Sequence, residues 1–347
     1  QSFAIARACA SSVLSLCITP FGRPVVPDVN ARYMTLSGSV SGARAAASAL
    51  RSAEGSLRAE LHVIRWQLER GSIAEAIDSL DRADTWRTGA PLLAPQLDLF
   101  RIVIARRAGD LDAVTATARD AREVLERLLE ADASKPESRA TWLGYHADLA
   151  AHIASELGRA RLDAGLPELA AQAFAAELAA AERISADPLD AEARAGALVR
   201  HAQDQLWLAL GTERFALALE HCDRTLNGDL ELLPAERADF EIGRAVARSE
   251  NARGRADELP GCLAELRELA RRERTNELEV DASQRASVEL ALADAALRAR
   301  AWDTVHDALA ACDAAVDAAG GVSREPWLAR SRASSAAFAV RLALETA

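Results

Sequence analysis

Lysine is almost missing from this sequence: of 41 basic residues only Lys135 is one. An arginine-only set of cations reads first as the bias of a GC-rich genome, and second as a supply of forked donors suited to interfaces. Aromatic residues make up 4% of the chain, methionine occurs once, at Met34, and Val, Ile and Thr are sparse. That poverty excludes a mostly β protein. No apolar run reaches the ~20 residues that a membrane span needs. Five cysteines, Cys9, Cys17, Cys222, Cys262 and Cys312, are far apart and form no CxxC. They fit neither a zinc site nor a dense disulfide framework. An odd count points to a reducing compartment, so a cytoplasmic location is expected. Motifs for phosphate loops, dinucleotide binding, zinc hydrolases, nucleophile elbows and kinases are all missing. No cofactor, no metal and no catalytic residue is therefore assigned.

What the sequence has in plenty is alanine and acid. Roughly 80 of the 347 residues are Ala, against about one in twelve in an average protein. Alanine is the best helix former. The net charge of −11 and pI near 5.2 argue against binding to nucleic acid. With half its residues apolar, the chain is too hydrophobic to be disordered.

Residues 1–40 differ from the rest. Arg7, Arg23 and Arg32 face Asp28 alone, and Pro20, Pro24 and Pro27 crowd together. This irregular segment is read as the tail of an upstream region or as read-through ahead of Met34. From residue 41 to 347 the pattern is helical. Apolar residues recur at three- and four-residue spacing, as in Leu57, Leu61, Ile64 and Leu68. Breaks near Gly71, Gly109, Gly165, Gly211, Gly254 and others divide the stretch into roughly a dozen helices with short connections. Short loops make consecutive helices pack as antiparallel hairpins.

One frame recurs six times. A residue opens the second helix of each pair, and small or apolar residues follow three, seven and ten positions later. The openers are Ile73, Leu111, Pro167, Phe215, Ala256 and Trp302. In four sets a glycine stands two residues earlier, at Gly71, Gly109, Gly165 and Gly254. Such a glycine ends one helix in a left-handed conformation, and the next helix starts at once. Cys222 and Cys312 fall on these stripes, so the three downstream cysteines are expected to be buried, free thiols.

These residues resemble the tetratricopeptide repeats. Leu157-Gly158, Gly165, Ala170 and Phe174 match that family's Leu-Gly, Gly, Ala and Phe positions in order, and Gly71 to Ile77 is similar to its turn and second-helix start. The openers lie further apart than the family period of about 34 residues. In this the chain resembles the divergent helical-hairpin solenoids of large bacterial regulators. The resemblance implies an all-α, right-handed α-solenoid of about six hairpins plus a C-terminal capping helix near Trp327. It further implies a concave groove lined by first helices that holds a protein or peptide segment. Arg65, Arg106, Arg159 and Trp207 are the groove candidates.

Other clusters read as structure. Glu220-His221-Cys222-Asp223 cannot form a Cys–His pair, because adjacent helical residues point about 100° apart. His152 and Glu156 share a helix face but supply only two metal ligands where three or four are needed. Arg267, Arg271, Arg272 and Arg274 are interleaved with glutamates, as on a salt-bridged helix face. The leading function is a non-catalytic interaction module, as a scaffold or the sensor part of a regulator. A small-molecule sensor and a helical enzyme without recognisable motifs stand as alternatives.

Overall fold

The computed structural model describes residues 53–69, 72–133, 139–185, 190–278, 280, 282–318 and 326–346. The irregular segment 1–40 lies outside them. Among the described residues there are thirteen α-helices and no strand. They are α1 (Ala53–Glu69), α2 (Ile73–Asp84), α3 (Ala94–Arg107), α4 (Leu111–Ala133), α5 (Arg139–Asp163), α6 (Pro167–Ala181) and α7 (Ala191–Gly211). There follow α8 (Phe215–Leu226), α9 (Pro234–Asn251), α10 (Leu259–Arg274), α11 (Ala282–Arg298), α12 (Trp302–Ala318) and α13 (Pro326–Thr346). A 3₁₀ turn, Arg87–Gly89, stands between α2 and α3.

The same turn joins five of the pairs. In α1–α2, α3–α4, α5–α6, α7–α8 and α11–α12, the N–H of Ser72, Asp110, Leu166, Arg214 or Ala301 donates to the carbonyl five residues back, at 2.8–2.9 Å. The carbonyl of that same residue accepts the N–H four residues on, at 3.0–3.2 Å. One residue thus closes the first helix and caps the second. The position before it must be left-handed, and Gly109 and Gly165 supply that, each at φ 74°. Glu213 and Arg300 take the same place at φ 57° and 56° without being glycine.

Five of the six expected openers are the first residues of second helices, and in each of the five sets the residues three, seven and ten on are buried. The Ala256 set is a correction. Ala256 is exposed, and three further turn bonds between residues 250 and 258 delay the helix to Leu259. Pro260 then fixes the start of α10. The stripe shifts with it to Leu259, Cys262, Leu266 and Leu269, the last three being buried.

The described residues fall into two compact units: one up to Arg106 with 110–160 and 172–198, the other 107–109, 161–171 and 199–346. In the first, Leu57, Ile64, Leu97, Ile102, Val114 and Leu125 form the largest core. A second core joins Ala147, Ala151, Ala181 and Ala197 to Leu129 and Ile184. Gly158 lets α5 approach α6 so closely that a Cβ there would clash with the Phe174 ring. In the second unit, α9 and α10 are antiparallel, with Arg272 on Glu241 and Arg248 on Glu265. Gly243 of α9 meets Leu206 of α7. Helix α13 packs on α11 and α12 and buries Leu342, while Val340 and Leu344 stay exposed. The Trp327 side chain lies outside the described residues.

Candidate functional site

First helices meet in parallel, and polar side chains fix their register. Tyr145 Oη of α5 donates to Gln96 Oε1 of α3 at 2.9 Å, and eleven residues further along α5 Glu156 Oε2 accepts Arg106 Nε at 2.6 Å. Both contacts join residues about 50 apart in sequence, so α3 and α5 run side by side in one direction. The same holds in the second unit for α9 and α11. Gln284 donates to Asp239, and Arg298 donates to Ser249 O at 3.0 Å and Ser249 Oγ at 2.7 Å.

The α3–α5 contact carries the most unusual chemistry. Tyr145, Asp148, His152, Glu156 and Arg159 recur at three- and four-residue spacing on one face of α5, and the first four are buried. His152 Nδ1 lies 3.5 Å from Asp148 Oδ2. Glu156, 4% exposed, holds Arg106 at 2.6 Å and Arg159 at 3.8 Å. Burial alone would raise the Glu156 carboxyl, but Arg106 and then Arg159 hold it below the usual carboxylate range. Below this ladder His146 Nε2 is 3.1 Å from Leu92 O, and its ring stacks on Trp142.

The four sequence candidates are thus placed unequally. Arg106 and Arg159 come together on Glu156 and carry a structural ion pair as well as any surface role. Arg65 is half-buried on α1, where burial, then Arg65 and Arg58, push His62 below its ordinary value. Trp207 is half-buried on α7 in the other unit, beside the fully buried Leu206. His152 and Glu156 share a face as expected, as rungs of the ion ladder. Among the described residues no group of three or more His, Cys, Asp and Glu side chains is placed to hold a metal ion. Gln96, Tyr145 and Asp148 went unnoticed in the sequence. The signal for Tyr145 and Asp148 was polar residues recurring at core spacing along the 25-residue α5; Gln96 stands among the buried residues at the start of α3.

Protein-family models, curated proteins and solved structures hold no match to this chain.

Two of the concavities among the described residues lie in the second unit. One, about 300 Å³, is lined by Arg267, Arg271, Arg274, Thr304 and Asp307 among others. Its arginines are engaged: Arg271 with Glu268 and Glu277, Arg274 with Glu289, Arg267 with Thr304. This is the salt-bridged face expected from the sequence. The other, about 380 Å³, is lined by Arg255, Arg298, Arg300 and Arg341 with Ala252, Gly254, Ala256, Leu259 and Leu297. Neither lining includes a histidine or a cysteine. Cys222, Cys262 and Cys312 are free and buried in the second helices, and burial pushes the Cys222 thiol up to about 12. Such thiols are inert.

Proposed function

We propose that the chain is a tetratricopeptide-like helical-hairpin module, without catalytic activity of its own, that binds a protein segment on its first helices. The observation that carries this is the parallel alignment of consecutive first helices, α3 with α5 and α9 with α11, behind a turn repeated five times. Side-by-side first helices make a continuous face within each unit, and a right-handed solenoid with a concave groove is the arrangement that such hairpins build. Arg and Trp supply area together with directed donors, so Arg65 on α1 in the first unit, and separately Trp207 on α7 in the second, are each a contact for a segment of acidic or amphipathic character. Arg106 and Arg159, held by Glu156, present a rigid positive edge on α3 and α5.

A reducing compartment fits the three buried free thiols, and the role is that of a scaffold or of the sensor part of a regulator. No helix among the described residues is long and apolar enough to cross a membrane. The test is retention of a partner by the immobilised full chain, followed by Arg65→Glu and Trp207→Ala. Each should weaken retention at least about tenfold, while Arg119→Glu on α4, whose side chain is 70% exposed, should not. Equal losses from Arg119→Glu would overturn the assignment of the binding face to first helices.

A further inference from the structure

Helix α13 is apolar on two opposite sides. One side is used by the fold: Ser335 and Leu342 are buried, and Phe338 packs against the core that α11 and α12 build. The other side carries Ala333, Ala336, Ala337, Val340 and Leu344 at three- and four-residue spacing, and all five are exposed. Leu342 stands two residues from both Val340 and Leu344, which at 3.6 residues per turn sets it nearly opposite them. Leu344 is 76% exposed and Val340 61%, more than any other large apolar side chain among the described residues. From Ala333 to Leu344 the helix has one charged residue, Arg341.

Other helices of the chain turn charge outward, as surface helices do. On α4 the exposed residues include Asp112, Arg119, Asp120, Glu123 and Glu126, and on α12 Asp303, Asp307, Asp313 and Asp317. The outer face of α13 has no such set. A contiguous exposed apolar face of this kind marks a contact surface.

Size and charge along α13 point to what covers it. Its large exposed residues, Val340 and Leu344, stand in the C-terminal half, and the alanines Ala333, Ala336 and Ala337 precede them. A second α13 turned end for end sets its Val340 and Leu344 over those alanines and receives the same contact in return, large on small. Charge runs the same way. Arg330 and Arg332 stand in the N-terminal half and Glu345, the only acid of α13, in the last turn. Antiparallel pairing brings the acidic end of each helix to the basic half of the other, whereas parallel pairing sets like beside like.

We propose that two copies of this chain pair through the outer face of α13, the two helices antiparallel about a two-fold axis. One helix on one helix is small for a specific interface, below about 1,200 Å², so the dimer is weak and reversible, in the micromolar range. The surface includes neither Arg65 nor Trp207, so failure of this proposal would leave the partner-segment reading standing.

Sedimentation velocity of the full chain tests it, over roughly 1–100 µM. The sedimentation coefficient should rise from that of a monomer toward that of a dimer. Val340→Glu combined with Leu344→Glu should raise the dissociation constant at least about tenfold. The melting temperature of the dilute chain should stay unchanged, because both side chains are already in water. Arg119→Glu on α4 should leave the equilibrium as it is. Orientation is read by mixing Ala333→Cys with Leu344→Cys under mild oxidation and mapping the products by mass: a 333–344 link should form, and Leu344→Cys alone should give little 344–344 link. A monomer at every concentration, a dimer indifferent to the double substitution, or a 344–344 link in preference to 333–344 would overturn the proposal.

Discussion

Replacing Arg106 with methionine removes one of the two cations that hold Glu156, and the cost can be worked from the geometry. Breaking a fully buried ion pair costs about 3–5 kcal/mol, because it strands a charge away from water. Here the carboxylate is buried but the Arg106 side chain is 22% exposed, and Arg159 remains 3.8 Å away on the other oxygen. Solvent screening and the second arginine place the expected loss at about 2–3 kcal/mol. For a unit of this size that lowers the melting temperature by about 5–10 °C.

The sign with pH is fixed as well. In the native chain Glu156 lies below its ordinary value, so its contribution is present above that value and is lost as pH falls through the folded one. With Arg106 gone, burial gains on the remaining pairing and the carboxyl rises. The deficit should therefore be largest near pH 7 and shrink toward about pH 4. Denaturant melts at the two pH values read this directly. Adding Glu156→Gln to Arg106→Met should recover most of the loss at pH 7, a non-additivity expected of a contacting pair. A loss under about 1 kcal/mol at pH 7, or the same loss at both pH values, would refute the reasoning.

The remaining predictions concern the other features that set this structure apart. Glu213→Gly should raise stability by about 0.5–1 kcal/mol in denaturant melts, the relief of a left-handed residue less the extra entropy of glycine. Gly158→Ala should cost about 1–3 kcal/mol by driving a methyl into Phe174, and Ala170→Phe, at a fully buried stripe position, should cost as much. In mass-mapped alkylation Cys222, Cys262 and Cys312 should react only on denaturation; rapid native labelling of all three would contradict their burial. Glu289 is the opposite of Glu156: burial pushes its carboxyl above the ordinary value despite Arg274, so folding makes its ionisation harder rather than easier. Glu289→Gln should therefore cost less than Glu156→Gln in melts at pH 7, with the gap closing near pH 4.

Much of the helical plan was legible because it rests on local chemistry. A glycine that must be left-handed, followed two residues later by a stripe of period 3.6, needs no tertiary information to be found. It failed where the chain departs from that rule. Glu213 and Arg300 sit in the glycine position unannounced, and the extra turn after Gly254 moved the α10 stripe three residues from Ala256 to Leu259. Candidate surface residues were less legible. Arg106 and Arg159 look alike in sequence to any solvated arginine, and only the alignment of α3 with α5, a contact about 50 residues apart, brings both to Glu156. The arginine-lined hollow is harder still, since Arg255, Arg300 and Arg341 share no spacing. Their meeting depends on how α10, α11 and α13 pack.

Partner binding on first helices is tested most directly by site-specific photocrosslinking in the cells that make the protein. A photoreactive residue is placed at Arg65 or Trp207 on first helices, and at Arg119 or Arg122 on the second helix α4. The first two positions should each yield a discrete adduct containing a segment of the same protein, and the α4 positions should yield none. Adducts of equal yield from α4, or none from positions 65 and 207, would contradict the account.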